Sequence, residues 1–142
     1  MTDIAISDVI AHPLRVVLPQ PQRTGAADFP AIELVLVEVR TDAGIVGFGE
    51  CLGRTGSPAY AEAIHRILKP VLVGRNPLDS QALWRAMHRR LTGRSGGMLI
   101  ESIAGVDIAL WDIAGKVAKL PVHRLLGSMG RPRVDAYASS RS

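Results

Sequence analysis

Cysteine is nearly absent from this 142-residue sequence, where Cys51 stands alone. That excludes an internal disulfide and a thiolate-rich zinc site. Aromatic residues are also scarce, with two each of Trp, Tyr and Phe, so its basic residues have no interleaved stacking platform for nucleic acid bases. No apolar run approaches the roughly 18 residues of a membrane span. The opening Met1-Thr2-Asp3-Ile4 lacks the basic start and apolar block of a signal peptide. A cytoplasmic protein with no membrane partner is therefore expected. Neither GxSxG, nor a phosphate loop, nor HExxH occurs. The length also excludes a (β/α)₈ barrel, which needs about 200 residues.

What is present is an ordinary globular composition, 47% apolar and 21% charged, far from that of disordered chains. A chain of this size buries roughly 70% of its unfolded surface. The net charge is 17 − 13 = +4, and arginine dominates the basic residues. Only Arg85, His88, Arg89, Arg90 and Arg94 cluster, on one predicted helix. An anionic partner is one explanation and a solvated face the other. The spread of the remaining arginines favours the second, and no nucleic acid partner is expected.

The clearest local signal is a period-two stretch, Ile32 to Arg40, in which alternate residues face opposite sides of a strand. Thr41-Asp42-Ala43-Gly44 supplies turn chemistry, and Ile45 to Glu50 returns as the second arm of a hairpin. An earlier strand over Ile4 to Leu18 completes a three-stranded antiparallel sheet, with Pro13 confined to an edge or bulge. Between them, Pro19 to Pro30 has no periodicity and reads as a long mobile loop. Ser57-Pro58 fits an N-cap and first helical position. Apolar residues then keep helical spacing to Val71, with a kink or early end near Lys69 forced by Pro70. A second helix is expected from Asn76 to Leu91, and a third from Met98 to Lys119. The third is apolar nearly all round, through Leu99, Ile103, Val106, Leu110, Ile113 and Val117 on one side and Ala104, Ile108, Trp111 and Ala114 on another. Such a helix is buried on more than one side, and a sheet with two helices hardly covers it. After Pro121 and a short helical turn to Leu126, Val134 to Ser139 looks like a new strand. The expectation is the front part of a longer protein.

A self-contained active site is not visible. His12, His65, His88 and His123 are scattered singly, as surface or helix-end histidines are. The glycines of Gly44-Ile45-Val46-Gly47-Phe48-Gly49 lie in a hairpin rather than between a strand and a helix, which rules out a dinucleotide fingerprint. Asp107 and Asp112 point about 140° apart on their helix and cannot share a metal. Hydrogen bonds to backbone, or to bases such as Lys116, are their expected use. Glu50 is placed at the hairpin's end, where the loop to Ser57 begins, and strand-end loops collect binding residues. Arg54 in that loop suits a substrate carboxylate.

Three stretches together resemble a known family. They are the hairpin Thr41 to Glu50, the helix Ile103-Ala104-Gly105-Val106-Asp107-Ile108-Ala109-Leu110-Trp111-Asp112-Ile113-Ala114-Gly115-Lys116, and Pro121 to Gly127 followed by Val134-Asp135-Ala136-Tyr137. The sequence resembles the N-terminal capping domain of the mandelate racemase/muconate lactonizing enzyme group of the enolase superfamily. The resemblance implies an α+β fold, a three-stranded antiparallel meander followed by a bundle of three main helices, with the barrel absent. It divides the chain into a capping domain, residues 1–127, and a linker entering a truncated barrel strand, residues 128–142.

In such enzymes the barrel carries the metal ligands and acid/base residues. The reaction begins with removal of the proton α to a carboxylate, and Mg²⁺ stabilises the ene-diolate. The cap contributes two mobile loops, matched here to Pro19–Phe29 and Glu50–Ser57. Arg23, Asp28, Glu50, Arg54 and Thr55 are the candidate substrate-facing residues. No catalytic and no metal-binding residue is assigned to this chain. Mg²⁺ and a small carboxylate substrate are expected only together with a barrel. The resemblance leaves the third helix partly uncovered in isolation, so homo-oligomerisation is expected. The alternative is a stand-alone binding or oligomerisation module of the same fold.

Overall fold

A computed structural model describes residues 4–23, 28–53, 56–91, 96–127 and 133–137. Three antiparallel strands, β1 (Ile6–Arg23), β2 (Asp28–Thr41) and β3 (Val46–Leu52), form one sheet in the order β1-β2-β3. Helices α1 (Ser57–Ala63), α2 (Ser80–His88), α3 (Gly97–Ala118) and the short α4 (Val122–Leu125) follow. The fold is α+β, and α1–α3 cover one face of the sheet. Val9, Val35, Val37 and Val39 point from that face into a core shared with Ile64, Leu68, Leu83, Met87, Ile103, Val106, Leu110 and Ile113. The alternation in β2 is thus the imprint of a sheet buried on one side.

The segment expected as a loop, Pro19 to Pro30, is instead mostly strand. β1 runs on to Arg23 and β2 starts at Asp28, giving a two-stranded ribbon paired from Val17↔Ala31 to Arg23↔Asp28, with a register shift between Val17 and Gln22. The shift falls where Pro19 and Pro21 face Pro30, and a bulge there absorbs residues that cannot donate to a ladder. The ribbon has little buried surface, so it carries no alternation for a pattern to reveal. The ribbon tip, residues 24–27, lies outside the described residues.

Both outer edges of the sheet are closed by side chains. On β1 the Val9 amide donates to Asp8 Oδ1 at 2.8 Å and the Ala11 amide to His65 Nε2 at 3.0 Å. Pro13, next along that edge, has no N–H to satisfy. On β3 the Phe48 amide donates to Asp112 Oδ2 at 2.8 Å, and Lys116 Nζ donates to the Val46 carbonyl at 2.7 Å. Edge strands otherwise recruit foreign strands. α3 reaches β3 closely enough to do this because Gly47 and Gly49 lie under Ala109 and Gly105, where a Cβ on either strand residue would strike the helix backbone.

The helices depart from the sequence reading at their ends. Gly56, not Ser57, is the N-cap of α1, and Ser57 is its first residue. Pro70 ends the regular helix as expected, but over a longer span. A π turn, Ile64–Leu68, and a 3₁₀ turn, Lys69–Val71, absorb the amide that proline lacks. α2 begins at Ser80 rather than Asn76, because the Asn76 side chain accepts the Leu78 amide at 2.9 Å and holds a turn. α3 is buried along Ile103, Val106, Leu110 and Ile113, whereas Ile108 is 50% exposed. On its second apolar face Ala104 is exposed too, while Trp111 and Ala114 are half-buried, so the described residues leave that face partly uncovered. Arg133 to Tyr137 are exposed and in no ladder, so the described part of the expected Val134–Ser139 strand is unpaired. Residues 138 and 139 lie outside the described residues.

Candidate functional site

β3 ends opposite Leu34, whereas the β1–β2 ribbon continues to Asp28. The ribbon therefore projects past the third strand by six residues of β2, about 20 Å at strand rise. Gly53, the first residue of the β3–α1 connection, lies beside Leu34 at the ribbon's base. Glycine makes that approach possible, since a Cβ there would sit 3.0 Å from Leu34 Cα and 2.9 Å from Ser57 Cβ. Gly53 and Ser57, from the second segment that the sequence reads as a loop, thus lie at the base of the ribbon rather than along it.

Glu33 ties Ser57 to that base. Its Oε2 accepts the Ser57 amide at 3.0 Å and the Ser57 hydroxyl at 2.9 Å, while Oε1 faces Arg15 Nε at 3.4 Å. A carboxylate thus sits on the first amide of α1, where unpaired N–H groups and the helix dipole favour negative charge. The Ser57 amide and hydroxyl, then Arg15, hold the Glu33 carboxyl below its ordinary range against a smaller opposing effect of desolvation. So engaged, Glu33 positions the connection and is not a free base. The sequence reading missed it, although a signal exists. Glu33 shares the inner face of β2 with Val35, Val37 and Val39, and one carboxylate in a valine row needs a partner.

Of the predicted substrate-facing residues, Arg23 and Asp28 pair across the end of the ribbon, and Asp28 is exposed. Arg54 and Thr55 lie outside the described residues. Glu50 is not at the strand end. It lies inside β3 opposite Leu36, exposed on the sheet's outer face. Strand pairing brings Arg23 and Asp28 together but leaves Glu50 apart from them.

A second concavity, about 380 Å³, lies between α2 and α3 and is lined by Ser80, Gln81, Trp84, Arg85, Asp107 and Trp111. Burial raises the Asp107 carboxyl, and a hydrogen bond from Trp111 partly offsets this. Trp84 stacks on His88 with ring centroids 4.8 Å apart. Asp112 has the use foreseen for it, a hydrogen bond to backbone and an ion pair with Lys116 at 2.7 Å. Among the described residues no three His, Cys, Asp or Glu side chains come together as metal ligands. The described residues therefore offer Mg²⁺ no set of three such ligands. No helix among them is long and apolar enough to cross a membrane.

Residues 5–127 match the family described as mandelate racemase / muconate lactonizing enzyme, N-terminal domain. The chain belongs to this family. Among curated relatives, it is 39% identical over 103 residues to a D-galactonate dehydratase of Verminephrobacter eiseniae, which is 72% of this chain and 27% of that protein. It is 44% identical over 115 residues to an arabinonate dehydratase of Saccharolobus solfataricus, covering 80% and 30% respectively. Among solved structures, a member of the enolase superfamily from Polaromonas sp. JS666 superposes with a TM-score of 0.82 at 32% identity, covering 89% of this chain and 34% of that one. The chain thus spans less than a third of the curated relatives it matches. An enolase-superfamily N-terminal domain explains the meander, the helices and the edge-closing α3.

Proposed function

We propose that this chain is the capping and specificity domain of a Mg²⁺-dependent enzyme that abstracts the proton α to a carboxylate, of the sugar-acid dehydratase or racemase kind. One observation carries the reading. The ribbon projects from the end of the sheet at which β3 gives way to α1, and Glu33 holds Ser57, the first residue of α1, to the ribbon's base. In this role the ribbon and the β3–α1 connection close over a bound acid, exclude water and select among hydroxyl patterns. Arg23, Asp28, Arg54 and Thr55 are offered to the substrate in this reading, and Glu50, exposed on the outer face of β3, stands apart from them. Arginine suits the carboxylate and threonine the hydroxyls. The dehydratase relatives act, by their names, on galactonate and arabinonate, which are polyhydroxylated acids of this kind.

In this reading, proton abstraction and Mg²⁺ binding fall to a barrel domain that this chain does not contain, as the family resemblance implies. The partly uncovered face of α3, with Ile108 at its centre and the Trp84–Trp111 concavity beside it, then docks against that barrel. The 142-residue chain alone turns over no sugar acid in this account. Residues 5–127 grafted in place of the matching part of the arabinonate dehydratase yield an active chimera whose substrate preference follows residues 23–28 and 54–55. Sugar-acid dehydration by the isolated chain refutes the reading.

A further inference from the structure

The arginine cluster on α2 finds no use in a capping role, yet the fold gives it a shape. Arg89 and Arg90 sit on the 3₁₀ turn, Arg89–Leu91, that follows α2. Together with Arg75 they line a concavity of about 500 Å³ floored by Pro70, Val71 and Ala86. A smaller one of about 300 Å³ shares Pro70 and Arg90 with it and adds Arg66. Arg75 is held from its backbone. The Ile6 amide donates to the Arg75 carbonyl at 2.8 Å, and the Gly74 amide to the Ile6 carbonyl at 2.8 Å. The guanidinia therefore come from two separate elements, one pinned to β1 and one rigid turn.

Two acids on the neighbouring elements are already engaged. Asp8 pairs with Lys69 at 2.5 Å, and Glu62 with Arg66 at 2.7 Å. Arg75, Arg89 and Arg90 make no ion pair with any described residue. Three uncompensated guanidinia around one hollow repel each other, and a multivalent anion relieves that repulsion through charge-assisted, forked hydrogen bonds. We propose that this concavity is an anion site for the phosphate or diphosphate group of a small metabolite. Its size falls in the range of small-molecule sites, about 300–1,000 Å³. Its lining holds no aromatic ring on which a nucleic acid base could stack, which favours a small ligand over a polynucleotide.

The test is calorimetric titration of the full 142-residue chain with pyrophosphate and with inorganic phosphate, at constant ionic strength set by sodium chloride. Saturable binding near one equivalent is expected, tighter for pyrophosphate. Arg75→Gln, Arg89→Gln and Arg90→Gln should each weaken it by about fivefold or more. Arg89→Lys, which keeps the charge but not the fork, should weaken it less. Arg40→Gln removes one charge on the outer face of the sheet and should leave binding unchanged. Circular dichroism verifies that each variant is folded. Non-saturating heats, an equal loss in Arg40→Gln, or binding of an oligonucleotide without pyrophosphate would each overturn the proposal.

Discussion

Asp112 on α3 accepts the backbone amide of Phe48 at 2.8 Å and so closes the outer edge of β3. Lys116, one turn on, both pairs with Asp112 and donates to the Val46 carbonyl. The stretch of α3 that most resembles the family is therefore a docking device. Gly105 and Ala109 admit the strand, and Asp112 and Lys116 finish its edge. Asp112→Ala should cost about 1 kcal/mol, a typical value for losing one such hydrogen bond. Amide exchange at Phe48 should accelerate beyond what global destabilisation accounts for. Unchanged protection at Phe48 would contradict the edge-closing role.

Glu33 gives the domain a pH dependence of defined sign. Its carboxyl is lowered in the fold from an ordinary value of 4.5. The stability it contributes is complete above that value and is lost as pH falls through the lowered folded value. Glu33→Gln should therefore lower Tm at pH 7, and the gap from the parent protein should close in acid. A gap that stays constant down to pH 3 would show that Glu33 acts by packing alone.

Cys51 lies against Gly105, where an added Cβ would come within 2.7 Å of the cysteine Cβ. Burial pushes its thiol up to about 11. Below pH 9 the native thiol should resist labelling by an aromatic disulfide reagent and react at once in denaturant. Because the folded value is raised, this contribution to stability is full below the ordinary 9.0 and is lost as pH climbs towards 11. Rapid native labelling at pH 8 would contradict the packing of α3 on β3.

Ile108 is half-exposed on the apolar face of α3 that the described residues leave partly uncovered. Ile108→Lys should leave stability within about 0.5 kcal/mol, as surface substitutions do. It should also reduce concentration-dependent self-association in sedimentation velocity. Association unaffected by the change would place the adhesive surface elsewhere.

Legibility in the sequence followed burial. The valines of β2 face a core on one side only, so their alternation was readable, as was the all-round apolar pattern of α3. The β1–β2 ribbon was not readable, because it has two largely exposed faces and prolines at its bulge. Ser57 has the chemistry of an N-cap, but its hydroxyl is drawn to Glu33, 24 positions away in the chain, a contact that no local window contains. The Trp84–Trp111 concavity and the hollow at Arg75 were hidden for the same reason, since each joins residues from different elements. The family's hairpin and α3 stretches stood out because helix and strand touch there backbone to backbone, which few residue types permit.

The most direct test of the capping account is a paired activity measurement. Dehydration of D-galactonate and D-arabinonate with Mg²⁺ is followed for the isolated chain and for the chimera carrying residues 5–127 on the remainder of the arabinonate dehydratase. The account predicts no turnover by the chain, turnover by the chimera, and a changed substrate preference when residues 23–28 or 54–55 are exchanged. Turnover by the isolated chain, or an active chimera indifferent to both exchanges, would contradict it.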